Sequence, residues 1–119
     1  MKRKTSVILL DEADDEYKRL NEIVGMQIND GKQNTEEMQL FRSIGQKVEF
    51  VKANPFYGDN IPKELIPKKY CVQNLWRVGL TNYWRMLYTI KGDQVEIICF
   101  ILAIMNHEKY DKIFGYSKK

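Results

Sequence analysis

With 119 residues, 44% hydrophobic and 29% charged, the chain is long enough for one modest core and too short for two, so a single domain over residues 1–119 is expected. Nothing in this composition favours disorder, and no apolar run reaches the roughly 18 residues of a membrane span or matches a secretory leader. The net charge of +3 conceals an asymmetry: residues 1–60 carry nine Lys/Arg against eleven Asp/Glu, and residues 61–119 carry ten against five.

Residues 6–10 are β-branched and aliphatic and predict a buried strand. Asp11 then offers an N-cap, and Glu12, Asp14, Asp15 and Glu16 place negative charge where a helix dipole favours it. Ala13, Tyr17, Leu20, Val24 and Ile28 recur at steps of four and three and draw one apolar stripe along that helix. It should end at Asn29-Asp30-Gly31, where the glycine can turn left-handed. A second helix starts after Thr35, with Glu36 and Glu37 in its first turn. Met38, Phe41, Ile44 (or Gly45), Val48 and Val51 carry its stripe to about Ala53. Two such helices joined by a short polar loop read as an α-hairpin laid across a sheet.

All three prolines fall in residues 54–70, which predict an ordered connection with a helical turn at 63–66. Three strands follow, at 74–80, 83–91 and 94–105, separated by Thr81-Asn82 and by Gly92-Asp93; such tight turns imply an antiparallel meander. Residues 97–105 are apolar without a break, as in a central strand covered on both faces. Asn106 caps a last short helix over 108–114, ended by Gly115, and Lys118-Lys119 reads as a frayed tail. The expected fold is α+β in the order β-α-α-β-β-β-α. A small antiparallel sheet carries the α-hairpin on one face, with the first strand beside the long last one.

Cys71 and Cys99 are too few and too far apart for a disulfide-stapled secreted domain, so a reducing cytoplasm fits better. There is no Gly-rich phosphate loop, no paired-cysteine zinc spacing and no Gly-x-Ser-x-Gly elbow. Asp11, Asp14 and Asp15 read as an acidic helix start rather than a cation site. The excess of Lys/Arg puts the positive field in the second half of the chain, for which a polyanion is a natural partner.

Within that half, alternation places Trp84, Met86, Tyr88 and Ile90 on one face of a strand and Arg85, Leu87 and Thr89 on the other. Trp76, Trp84 and Tyr88 could stack on bases, but Trp84 and Tyr88 are core if their shared face meets the hairpin. Arg85 must meet solvent, an anion, or an acid such as Glu96 across the hairpin. Arg77 lies on the neighbouring strand. His107, the single histidine, has an ordinary pKa near 6.5 that suits proton transfer, yet its place also fits a cap or a surface residue.

The stretch Asn74-Leu75-Trp76-Arg77-Val78-Gly79-Leu80, then Tyr83-Trp84-Arg85-Met86-Leu87-Tyr88-Thr89-Ile90, resembles the RelE/ParE toxin superfamily. In that family a leucine-aromatic strand precedes a strand reading tyrosine-arginine-x-x-tyrosine, then an apolar strand and a short last helix with His or Tyr. The corresponding parts here are Trp84-Arg85-Met86-Leu87-Tyr88, residues 95–105 and His107-Glu108-Lys109-Tyr110, so the likeness covers nearly the whole chain. It implies an endoribonuclease that needs neither metal nor cofactor and cleaves messenger RNA, usually on the ribosome, by attack of a ribose 2′-hydroxyl on the adjacent phosphorus. It also implies a cognate antitoxin.

Such chemistry requires a base, an acid and cations that hold the phosphate. Arg85 and Arg77 suit the last task, because a guanidinium stays charged and binds two oxygens at once. Resemblance makes His107 the acid/base position, with Tyr110 and then Tyr116 as further candidates. A phenol of pKa about 10 would need cationic neighbours such as Lys109 and Lys112. Lys63, Lys68 and Lys69 could supply the family's lysine-rich segment and contact RNA. The sequence departs from the stronger nucleases at Met105-Asn106, where those often carry another arginine. The competing expectation is a non-enzymatic or decayed module that binds a protein partner (an antitoxin, or gyrase as in ParE-type members).

Overall fold

A computed structural model describes residues 3–115; Tyr116 and the Lys118-Lys119 tail lie outside the described residues. Its elements are β1 (Lys4–Leu9), α1 (Asp11–Asn29), α2 (Glu36–Ala53), β2 (Asp59–Asn60), β3 (Trp76–Gly79), β4 (Trp84–Gly92), β5 (Glu96–Asn106) and α3 (His107–Phe114). This is the expected order with one addition, the two-residue β2, which lies within the proline-rich connection. That connection also holds single turns of 3₁₀ helix at Lys63–Leu65 and Lys68–Tyr70.

Local chemistry explains most of these boundaries. Thr35 caps α2, its hydroxyl accepting the Met38 N–H at 3.1 Å. Asn106 does the same for α3, accepting the Lys109 N–H at 2.9 Å, and Gly115 closes that helix with a φ of +74°. The expected cap at Asp11 is not formed. Leu10 occupies the N-cap position without a side-chain bond, and Asp11 is the first residue of α1, with a φ of +42°. The acids of that first turn still sit where the helix dipole favours them.

The sheet runs β1-β5-β4-β3-β2. β3, β4 and β5 form the antiparallel meander, and β1 lies beside β5 as expected, parallel to it, which makes the sheet mixed. β1 and β5 are neighbours in the sheet but not in sequence, because the α-hairpin follows β1 and β5 is reached from β4 across a tight turn. On one face the α-hairpin buries Ala13, Leu20, Leu40, Ile44 and Val51 against Val78, Met86, Tyr88, Cys99, Ile101 and Ile104. Trp76 and Trp84 pack against this layer, so the strand alternation is confirmed and these rings belong to the core side.

The other face carries a smaller core of Ile61, Leu75, Leu87, Ala103, Met105 and Tyr110, covered by α3 and the connection. β5 serves both cores by alternation, and a bulge shifts the phase of that alternation. Leu87 and Tyr88 of β4 pair with Ala103 and Ile101, which leaves Leu102 as the extra residue. Ile101 and Ile104 therefore face the hairpin, while Ala103 and Met105 face α3. The cover on this second face is partial. Ile98 and Phe100, expected to be covered, are only half-buried, and Ile8 beside Phe100 is exposed.

Candidate functional site

Arg77 and Arg85 come from adjacent strands on the α3 side of the sheet. In the β3–β4 register Arg77 pairs with Leu87 and Gly79 with Arg85, so the two arginines sit diagonally on one face. Between them lies Tyr110, one turn into α3 and only 4% exposed. The Arg77 guanidinium is 5.9 Å from the centre of the Tyr110 ring and that of Arg85 is 5.8 Å from it. Both distances are within the range of cation–π attraction. Phe114 stacks on Tyr110 at 4.4 Å and helps to fix the ring.

The two guanidiniums differ in how they are held. Arg77 donates from Nη1 to the Tyr110 hydroxyl at 3.1 Å and from Nη2 to Asp59 at 3.2 Å. The Tyr110 hydrogen bond, and after it the Asp59 carboxylate, keep Arg77 still more firmly protonated than a free arginine, against the opposing effect of partial burial. Arg85 donates from Nη1 to the Trp84 carbonyl at 3.1 Å. No acid pairs with it among the described residues; Glu96, the acid considered above, lies at the far end of the hairpin and instead accepts from Ser6 at 3.4 Å. The remaining N–H groups of Arg85 have no protein acceptor among the described residues.

His107 is exposed at the first position of α3 and outside this cluster. Its ring meets Tyr83 edge-on at 5.9 Å. Tyr83 itself follows Asn82 through two successive left-handed residues, with φ of +59° and +64°. Such a backbone suits asparagine and strains tyrosine. The lysines divide as well. Lys69 and Lys109 both bind Glu12, at 3.6 and 3.4 Å, which ties the connection and α3 to the start of α1. Lys68 and Lys112 are exposed, the latter on the last turn of α3.

Three participants were not singled out from the sequence. Asp59 was hidden in a loop with no periodicity, and Tyr83 was read only as the start of a strand. Tyr70 packs beside the α3-side core, its buried hydroxyl without a hydrogen-bond partner among the described residues. Burial, and to a lesser extent Glu12, push its pKa up to about 12. No helix among the described residues is long and apolar enough to cross a membrane.

The chain thus folds as a mixed five-stranded sheet with an α-hairpin on one face and a short last helix on the other. The YoeB/ParE toxin from Agrobacterium tumefaciens has this fold: its structure matches at a TM-score of 0.58 over 86% of this chain and 98% of its own, with 12% sequence identity. No family model matches the chain, and no curated protein matches it in sequence.

Proposed function

We propose that this protein is the toxin of a toxin–antitoxin pair and cleaves messenger RNA without a metal, in association with the ribosome in the cytoplasm. The observation that carries the reading is the convergence of Arg77 and Arg85 on Tyr110, on the sheet face that α3 borders. Arg85 takes the scissile phosphate with the N–H groups left unpaired, and Arg77 supplies a second cation. Charge that builds on the phosphate oxygens as the 2′-hydroxyl attacks phosphorus is thus met by donors already in place. His107, exposed on the same helix one turn before Tyr110, takes the proton of the 2′-hydroxyl and gives it to the 5′-oxygen that leaves as its bond to phosphorus breaks, so that a 2′,3′-cyclic phosphate and a 5′-hydroxyl are formed. Tyr110 holds the two arginines, and Lys68, Lys69, Lys109 and Lys112 add to the field that draws the RNA.

The test is induced expression of the wild type and of Arg85→Ala, His107→Ala and Tyr110→Phe, with growth, translation and messenger cleavage sites all mapped. Arg85→Ala should lower cleavage by roughly 10²–10³-fold, the usual loss on removing one preorganised donor. Tyr110→Phe keeps the ring beneath both cations, so it should retain most activity if the ring positions them and little if the hydroxyl moves a proton. Growth unaffected by well-folded wild type would end the toxin reading.

A second reading has its own support. Asp59 and Tyr110 already occupy the Arg77 fork, and His107 turns to Tyr83 rather than to the arginines. In that reading the surface binds a protein, an antitoxin or a target such as gyrase, without RNA chemistry. Growth arrest with intact messenger RNA would select it.

A further inference from the structure

Beyond the arginine cluster, the loop between α2 and β2 displays aromatic rings that the fold goes to some length to hold in place. The buried Tyr88 hydroxyl donates to the Pro55 carbonyl at 2.6 Å and accepts the Gly58 N–H at 3.0 Å. Asn54 closes the turn from both ends: its side chain accepts the Phe56 N–H at 3.1 Å and its carbonyl the Tyr57 N–H at 2.9 Å. Gly58 is packed so closely that a Cβ there would lie 2.8 Å from the Arg77 carbonyl oxygen and 3.1 Å from the Tyr88 ring. A loop built this tightly nevertheless leaves Phe56 61% and Tyr57 42% exposed.

The rings form two tilted pairs on either side of the loop. Phe56 leans on Trp76 at 5.4 Å, and Tyr57 on the exposed Phe50 of α2 at 5.2 Å. Lys47 lies 5.5 Å over the Phe50 ring and Lys52 follows on the last turn of α2, with Glu49 on the same helix and Asp59 just beyond the loop. Tyr57 also lines one cleft with Gly58, Asp59, Arg77, Val78 and Gly79, at the sheet edge that the two-residue β2 leaves open. Tyr57 thus shares an edge cleft with Arg77, while the ring partners Phe50 and Trp76 lie on the hairpin side of the sheet and the guanidiniums on the other.

We infer that this loop is a base-stacking subsite for single-stranded RNA, receiving an unpaired base next to the phosphate held by the arginines. Exposed π-faces of any base suit such rings, and flanking cations suit the backbone between. The inference rests on the RNA reading above. Its function would be to set the register of the strand across the site.

The test measures binding of the full-length protein to a short, unstructured 2′-O-methyl oligoadenylate, which cannot be cleaved, and to the same backbone made fully abasic. The variants are Phe56→Leu with Tyr57→Leu, which keep apolar contact with Trp76 and Phe50 while removing the π-faces, and Arg85→Ala as reference. The leucine variant should bind the base-bearing strand about 5- to 50-fold more weakly, at an unchanged salt slope, and the abasic strand as the wild type does. Arg85→Ala should instead lower the salt slope on both strands.

Wild-type affinity in the leucine variant beside a loss in Arg85→Ala would overturn the subsite and leave the RNA reading standing. Equal loss on both strands would also overturn it, since the loop would then merely shape the site. Failure of the wild type to bind either strand would overturn the subsite, and the RNA reading would then stand or fall on the growth and messenger-mapping experiment above.

Discussion

Asp59 holds one prong of the Arg77 fork at 3.2 Å, while it is itself 73% exposed on an edge strand. An ion pair so open to water contributes about 0–1 kcal/mol, and salt screens it further. An RNA phosphate would compete with it for the charge of Arg77, whose guanidinium gives one N–H to Asp59 and one to Tyr110 out of five. Asp59→Asn should therefore tighten binding of non-cleavable RNA by up to about 5-fold, while changing stability by less than about 0.5 kcal/mol. Weaker binding in Asp59→Asn would show instead that the carboxylate orients the arginine for its ligand. At this scale the sequence was informative where a period organised it. Alternation along β4 assigned Arg85 to the face away from the hairpin, and register with β3 brought Arg77 beside it. Asp59 escaped notice because the connection has no period, and its partner is 18 residues away. Tyr110 was named from resemblance alone, and its burial between two cations depends on a packing contact that no local pattern encodes.

Elements show the same division between local and long-range information. Caps are local, and two of three were legible: Thr35 and Asn106 accept the N–H three residues on, as their positions predicted. Asp11 failed because Leu10 still donates its N–H to the Ile101 carbonyl at 3.0 Å, so the helix begins where β1 leaves the sheet. The bulge at Leu102 was invisible for a different reason. Residues 97–105 are apolar throughout, so a change of face leaves no trace in their hydropathy. Long-range pairing also fixed the start of β3, where the Asn74 side chain imitates a strand neighbour. It donates to the Ile90 carbonyl at 3.0 Å and accepts the Ile90 N–H at 2.8 Å. Of these devices the Asn106 cap bears most directly on the site, because α3 carries both His107 and Tyr110. Asn106→Ala should cost about 0.5–2 kcal/mol by thermal or urea denaturation. It should also raise amide exchange in the first turn of α3 and reduce RNA cleavage together with it. Unchanged cleavage with a frayed first turn would separate the helix from the chemistry.

For the molecule as a whole, the two cores share one sheet, and protons are buried in both layers. Burial pushes the Tyr88 phenol up to about 12 and the Cys99 thiol up to about 11; both belong to the hairpin-side core. Tyr70, against the α3-side core, is likewise raised to about 12. Each group is ordinarily half-ionised near 10 or, for the thiol, 9. Between those values and the raised ones the unfolded chain has released protons that the folded chain retains. Stability changes with pH in proportion to the protons bound by the unfolded state minus those bound by the folded state, so here the slope is negative. Their contribution is complete below about pH 9 and is lost progressively as the pH rises towards about 12. The urea midpoint should accordingly hold steady up to about pH 9 and decline above it. Tyr88→Phe separates this effect from general alkaline damage. The variant forfeits the bonds to Pro55 and Gly58, which costs about 1–3 kcal/mol at neutral pH. It should nevertheless decline less steeply above pH 10, because one of the retained protons is gone. Parallel slopes for variant and wild type would mean that Tyr88 ionises as readily folded as unfolded, and that its hydroxyl is not the dry anchor on which the aromatic loop depends.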